Sequence, residues 1–169
     1  MKLDGSICLA GALLACAASV ALAQAWPAKP VRVIVPFGVG GGTDIQGRLL
    51  GKKFYESLGQ IFVIDNRTGA GGMIGAEQAA KSPPDGYTLL FSTASLAVNA
   101  NLYPKTAFDP VRELAPVGLV SSTPLVLAVH PSVPVKTVKD LVALAKIRTG
   151  GLNAASNGSG TTSHLTIEM

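Results

Sequence analysis

Cysteine is confined to the first two dozen residues of this 169-residue chain, at Cys8 and Cys16, so the remainder has no disulfide and no thiol chemistry. Charged residues make up only 14% of the sequence and the two histidines, His130 and His164, stand far apart. Neither H-x-x-H nor C-x-x-C occurs, so the clustered ligands a metal site needs are missing, and no metal is expected. Basic residues are scattered, with no run longer than Lys52-Lys53, and the net charge of +4 is unchanged when Lys2 and Asp4 are set aside. A nucleic-acid surface needs a basic stripe with aromatics near it, which this pattern excludes. Nucleophilic catalysis is equally unsupported. Asn157 and Thr161 stand where a G-x-S-x-G elbow around Ser159 requires glycine. Asp44, Asp65 and Asp85 could meet only through the fold. No catalytic residue is assigned.

The opening segment, MKLDGSICLAGALLACAASVALAQA, combines an early lysine, an apolar stretch from Ile7 to Leu22 and an A-x-A site at Ala23-Gln24-Ala25. This is the layout of a secretory signal peptide over residues 1–25, with Trp26-Pro27 as the mature start. A lipid anchor on Cys16, within LLAC, is the minor alternative. The reading places the mature chain in the periplasm.

From Trp26 onward the chain alternates strand and helix patterns. KPVRVIVPF reads as a strand buried on both faces and ended by Pro36. Thr43 and Gln46 form a capping-box pattern before a helix whose apolar face is Leu50, Phe54 and Leu58, stopped by Gly59. IFVIDN is a second strand. RTGAGG then leads into a helix rich in small residues (Gly75, Ala76, Ala79, Ala80) that ends at Pro83-Pro84, and DGYTLLFSTAS holds a third strand. Such β-α-β-α-β order predicts a parallel sheet with right-handed crossovers, and ligands of such sheets bind outside the carboxyl ends of the strands. Further on, LAVNANLYPKTAFDPVRELAPV reads as a short helix or turn and a surface loop. VGLVSSTPLVLAVHPSVP offers two apolar strand candidates around a break that could be a domain crossover. TVKDLVALAKIRTGG is a helix capped by Thr137, with an apolar face of Leu141, Leu144 and Ala145. LNAAS is a short strand, and NGSGTTSHLTIEM is a hydroxyl-rich loop entering a helix.

Three glycine loops, at 38–43, 69–72 and 157–162, fall at the predicted ligand edge. None is a phosphate loop. No lysine follows the glycines as G-x-x-x-x-G-K-[ST] demands. The dinucleotide fingerprint G-x-G-x-x-G finds Thr43 and Ile74 where its third glycine belongs. No cofactor is expected. The loops retain converging backbone N–H groups and helix N-termini behind them, a general means of holding an anion. Ser92, Thr93, Ser95, Ser156, Ser159, Thr161 and Thr162 add hydroxyls.

The segments WPAKPVRVIVPFGVGGGTDIQGRLL, VIDNRTGAGGMIGAEQAAKSPPDGYTLLFST, NLYPKTAFDPVRELAPV, LVLAVHPSVPVKTVKDLVALAK and LNAASNGSGTTSHL together resemble the Bug-type, or TctC-like, solute-binding proteins, the extracytoplasmic receptors of tripartite tricarboxylate transporters. The resemblance covers nearly everything after residue 25 and rests above all on the P-F-x-x-G-G-G-T-D loop, N-R-x-G-A-G-G and P-P-D-G-Y-T-L. It implies an α/β periplasmic binding protein fold of the type II-like, Venus flytrap kind, here incomplete: most of domain one over 26–124 and the start of domain two over 125–169. It implies a monomer that captures a small organic carboxylate and hands it to membrane subunits. Carried onto this chain, the ligand-binding residues are Phe37, Gly40, Gly41, Gly42, Thr43, Asp44, Asn66, Ala70, Gly71, Thr93 and Ser95 from the first domain and Ser156, Gly160, Thr161 and His164 from the second.

Val39, Thr68 and Met73 depart from the family pattern, and Met73 is expected to remove a polar group from the ligand edge. Family members are also longer, so the chain reads as a fragment, whether of a longer reading frame or of a truncated gene, with impaired binding. An α/β enzyme using the glycine loops as an anion hole is the alternative from another class.

Overall fold

The structure is a computed structural model that describes residues 26–102, 108–148 and 150–169. The leader assigned to residues 1–25, including Cys16, lies outside the described residues. Among those described, no helix is long and apolar enough to cross a membrane.

The first half is an α/β unit with a three-stranded parallel sheet in the order β2-β1-β3. β1 (Val31–Val35) is central, β2 (Phe62–Asn66) runs along one side and β3 (Thr88–Leu90) along the other. β1 is buried on both faces because its β-branched residues alternate between two cores. Val31, Val33 and Val35 pack with Phe62, Ile64, Leu89 and Phe54 on one face. Ile34 is fully buried between them in sequence, on the face shared by its register partner Leu90, which packs with Met73, Ala76 and Phe108. Each such side chain taken from water contributes roughly 1.5–3 kcal/mol.

Two helices cover the sheet at close range because glycines face it. α1 (Gly42–Leu58) approaches through Gly47 and Gly51: a Cβ on Gly47 would lie 3.3 Å from both Phe91 and Val35, and one on Gly51 3.4 Å from Phe62. This revises the expected face. Phe54 packs on the core, but Leu58 is 41% exposed and Leu50 only half-buried. A glycine stripe seats a helix nearer the sheet than leucines could. The expected capping box is also absent. α1 begins one residue before Thr43, behind Gly41, with no side-chain cap, and the Gln46 side chain instead accepts from Ser121 Oγ at 2.8 Å. Gly59 closes the helix in the left-handed conformation (φ 71°), as expected, donating to the Tyr55 carbonyl.

α2 (Met73–Ala80) lies against the other core through Gly75 and Ala76. Met73 is buried there rather than at the ligand edge, so the expected loss of a polar ligand contact is corrected: its side chain fills a core position beside Phe108. α3 (Ser95–Leu102) and the short α4 (Pro110–Glu113) complete this layer, α4 being capped by Asp109, which accepts from the amides of Val111 and Arg112.

Beyond α4 the expectations and the structure part. The strand candidates within 117–134 and at 152–156 are not strands. The residues between α4 and His130 carry no regular secondary structure and are mostly exposed, with Val117 and Leu119 nearly bare to solvent. A strand exists only when a neighbour takes its backbone N–H and C=O groups, and no strand among the described residues lies beside these. α5 (Val138–Ile147) forms as expected: Thr137 and Asp140 cap each other reciprocally, at 3.1 and 3.0 Å. Its apolar face stays uncovered, with Leu141 and Leu144 half-buried and Ala145 exposed. α6 (Thr162–Glu168) follows the third glycine loop.

The helix-sheet contact makes a sharp prediction at Gly75. Alanine is ordinarily about 1 kcal/mol better than glycine inside a helix. A Cβ at Gly75, however, would sit 2.7 Å from the Arg67 carbonyl oxygen and 2.9 Å from Pro36, and overpacking of this kind costs about 1–3 kcal/mol. Gly75→Ala is expected to lower stability in urea denaturation, whereas Gly42→Ala, where nothing lies within 4 Å, is expected to be neutral or slightly stabilising. Equal effects at the two positions would refute the close approach of α2.

Candidate functional site

Chain leaving β1 and β3 diverges to opposite faces of the sheet, which makes their carboxyl edge the topological switch point of the fold. The first two glycine loops and the Thr93–Ser95 turn leave the strands at this edge, and the third glycine loop packs against the second.

The first loop is organised by Asp44. Its carboxylate is 1% exposed and accepts from the Gly40 amide (2.9 Å), from Arg48 Nε (3.0 Å) and from the Asn66 side-chain amide (3.0 Å), with a second Arg48 nitrogen 2.9 Å away. Asn66, at the end of β2, also donates to the Phe37 carbonyl at 3.0 Å. One carboxylate thus ties the glycine turn, the first turns of α1 and the tip of β2 together. The Arg48 hydrogen bond, followed by that from Gly40, holds its pKa down to about 2 against the opposing effect of burial. The Gly41 amide donates to Gly38. Gly42 and Thr43, in the first turn of α1, belong to the amides that a helix leaves without internal partners, beside the positive end of its dipole.

The second loop runs through four consecutive residues of positive φ, Gly69, Ala70, Gly71 and Gly72. A Cβ on Gly72 would contact Pro36 and the Phe37 ring at 3.4–3.5 Å, so this loop lies directly against the first. The Gly71 carbonyl accepts from the side-chain amide of Asn99 at 2.8 Å. At the end of β3, Thr93 Oγ1 and Ser95 Oγ are 2.7 Å apart, Thr93 exposed and Ser95 buried at the start of α3.

The third loop reaches the second. The Ser159 carbonyl oxygen lies 2.6 Å from where a Cβ of Gly71 would be, and Asn99 Oδ1 lies 1.8 Å from where a Cβ of Gly160 would be. Gly160 and Thr161 are buried in this contact. Thr161 caps α6, accepting from the His164 amide at 3.3 Å and donating to the Gly158 carbonyl at 2.6 Å. Ser156 is exposed, its hydroxyl accepting from the Gly158 amide, and His164 is half-buried with its Nδ1 shielded and without a hydrogen-bond partner. His130 is exposed and bonded to Ser132, away from this cluster.

Of the fifteen residues singled out from the sequence, Ser156 is exposed on the third loop and joins neither cluster, and the other fourteen lie in or beside two groups. Phe37, Gly40–Asp44 and Asn66 share the Asp44 network. Gly71 and Gly160 meet around Asn99, with Ala70, Thr161 and His164 next to them along the same segments. Thr93 and Ser95 start the helix that carries Asn99. Arg48 and Asn99 were missed. Asn99 left one trace: a mid-helix asparagine among small apolar residues, LAVNAN, has poor helix propensity and calls for another reason to be there. The cations near the loops are matched, Arg48 by Asp44 and both Arg32 and Arg67 by Asp65. Burial works against ionisation of Asp65, and its two guanidinium partners overcome it, holding the carboxyl below its usual range. Among the described residues no group of acids, histidines or cysteines is placed to hold a metal. Among the described residues the result is an edge of backbone amides and hydroxyls whose nearby guanidinium groups are paired.

The described part of the chain is thus an α/β unit on a parallel sheet whose carboxyl edge carries the glycine loops. The profile of TctC, the tripartite tricarboxylate transporter family receptor, matches residues 47–169, and the chain belongs to this family of receptors. It is 42% identical over 149 residues to Protein BugT of Bordetella pertussis and 39% identical over 160 residues to the UPF0065 protein in the tcbD-tcbE intergenic region of Pseudomonas sp. strain P51, covering 87% and 93% of this chain but 46% and 48% of those proteins. The chain thus spans about half the length of these curated relatives. Among solved structures it is similar to R. palustris Rpa4515 with adipate, at 40% identity and a TM-score of 0.68 over 73% of this chain and 42% of that one. The periplasmic binding protein BugD is similar over 52% of this chain and 29% of that one, with 38% identity and a TM-score of 0.50.

The Asp44 network yields a pH prediction. A carboxyl whose pKa falls from 3.8 to about 2 on folding contributes stability that is fully present above 3.8 and is lost as pH falls toward 2. In urea denaturation, the wild-type advantage over Asp44→Asn is expected to be constant above about pH 5 and to shrink between about pH 4 and 2. An advantage undiminished at the acid end would contradict the network.

Proposed function

We propose that this chain carries the first jaw, over 26–124, and the beginning of the second, over 125–169, of a periplasmic receptor that captures a small organic carboxylate and delivers it to the membrane subunits of a tripartite tricarboxylate transporter. The observation that supports it best is the gathering of three glycine loops at one edge of a parallel sheet. There amides, hydroxyls and a helix N-terminus supply hydrogen-bond donors while neighbouring cations are neutralised. Such a site suits a carboxylate held by backbone amides, hydroxyls and bridging water, which is nearly as good enthalpically as direct contact. In this reading Gly40–Thr43, Ala70–Gly71, Thr93, Ser156 and His164 face the ligand. Phe37, Asp44, Asn66, Ser95, Gly160 and Thr161 shape the loops that do so. The adipate in the R. palustris relative makes linear dicarboxylates the first ligands to try.

Residues 1–169 span about half the length of the relatives, and our reading is that by themselves they hold a ligand weakly. An amide-resolved NMR titration of the full chain with adipate is expected to give a Kd on the order of 1 mM, with shifts confined to residues 37–43, 69–72, 92–95 and 156–164. Absence of shifts at these loops would overturn the receptor reading, and affinity in the micromolar range would overturn the claim of impaired binding. Export is tested separately: on expression in a Gram-negative host the periplasmic fraction is expected to hold a chain beginning at Trp26 by intact mass. A lipidated chain beginning at Cys16, or an uncleaved one in the membrane, would refute this cleavage.

A further inference from the structure

We infer that Asn99 is a positioning residue that pins the second glycine loop to the third, coupling the two proposed jaws through a single buried amide. The inference rests on the receptor reading only for the meaning of those loops as opposing walls, because the contact itself involves no ligand.

Three segments far apart in sequence meet at this side chain. Asn99 projects from α3 and is 0% exposed. Its Nδ2 donates to the Gly71 carbonyl at 2.8 Å, which fixes the amide orientation, since the flipped form would set oxygen against oxygen. Its Oδ1 then points at Gly160 and has no conventional hydrogen-bond partner. The oxygen occupies the place where any other residue's side chain would begin, facing a Cα hydrogen, a weak but favourable contact. Buried polar atoms are rarely left in this state, which sets Asn99 apart from a core asparagine with both ends of its amide bonded.

Both partners must be glycine here. A Cβ on Gly71 would meet Asn99 Nδ2 at 2.5 Å and the Ser159 oxygen at 2.6 Å, and one on Gly160 would meet Oδ1 at 1.8 Å. Both also have positive φ, 61° and 75°. The third loop is presented to the pin as a closed turn, with the Thr161 hydroxyl donating to Gly158 and the Thr161 amide bonded to the same carbonyl. Displacing either loop breaks contacts of one side chain, so each loop's position is felt by the other.

Hydrogen exchange of the full chain, without ligand, tests this. The amides of Gly72 and Thr161 are hydrogen-bonded within their own loops, so both report loop opening. Asn99→Leu, similar in size but without the amide, is expected to speed exchange in both loops by tenfold or more while the amides of Val33–Val35 hold. Gly160→Ala is expected to do the same to Gly72 across the contact. Because both variants break the same contact, the double variant adds less than about twofold to Asn99→Leu. Acceleration in only one loop, or effects that multiply, would overturn the pin. Should Asn99→Leu loosen the whole sheet, Gly160→Ala decides alone: exchange at Gly72 rising tenfold supports the pin, and a change below twofold refutes it. Failure of adipate to bind alters none of these rates and counts against the receptor reading only.

Discussion

Backbone segments at the carboxyl edge of this sheet approach one another more closely than side chains allow, and the rest of the arrangement depends on it. Gly75 lets the second helix press against Pro36 and the Arg67 carbonyl, and Gly47 and Gly51 let the first lie on the opposite face. With the helices seated that close, the loops that precede them are drawn over the strand ends, where Gly71 and Gly160 bring two of them into contact. An added methyl group at Gly75 or Gly71 would move a helix or a loop rather than merely crowd a side chain, because the nearest atoms there include backbone carbonyls that cannot rotate away.

Polar side chains complete what the glycines permit. Asp44 uses its carboxylate to hold the first loop, α1 and β2 together, and Asn99 uses its amide on the second and third loops. Each takes hold of at least one loop backbone group, the Gly40 amide by Asp44 and the Gly71 carbonyl by Asn99, which helps the edge keep its shape. The nearby guanidinium groups are absorbed by Asp44 and Asp65, which leaves hydrogen-bond donors and a helix dipole in place of a fixed cation.

Much of the fold was legible because its signals are local. The β-branched run at 31–35, the glycine loops and the Thr137 cap each announce themselves within a few residues. Long-range facts were not. Leucine periodicity in α1 pointed to Leu50 and Leu58, yet the packed stripe is Gly47 and Gly51, whose contribution is the absence of bulk. Thr43 and Gln46 match a capping box in spacing, but the glycine turn before them starts the helix earlier. The apolar stretches around Ser121 have strand composition, and composition cannot supply a neighbouring strand. At the site, the glycine loops and Asn66 were recognisable as residues. That Asp44 joins Asn66, 22 positions away, and that Asn99 joins Gly71, 28 positions away, are products of the crossovers.

The proposed coupling of two jaws requires the third glycine loop to dock on the second around Asn99. A nuclear Overhauser experiment on the full chain observes that contact itself, through the Asn99 side-chain amide and the Cα protons of Gly71 and Gly160. Docking predicts cross-peaks linking the Asn99 amide protons and the Gly71 Cα protons to the Ser159–Gly160 segment. Their absence, with residues 157–162 at random-coil shifts while the β1–β2 and β1–β3 cross-peaks are intact, would contradict it.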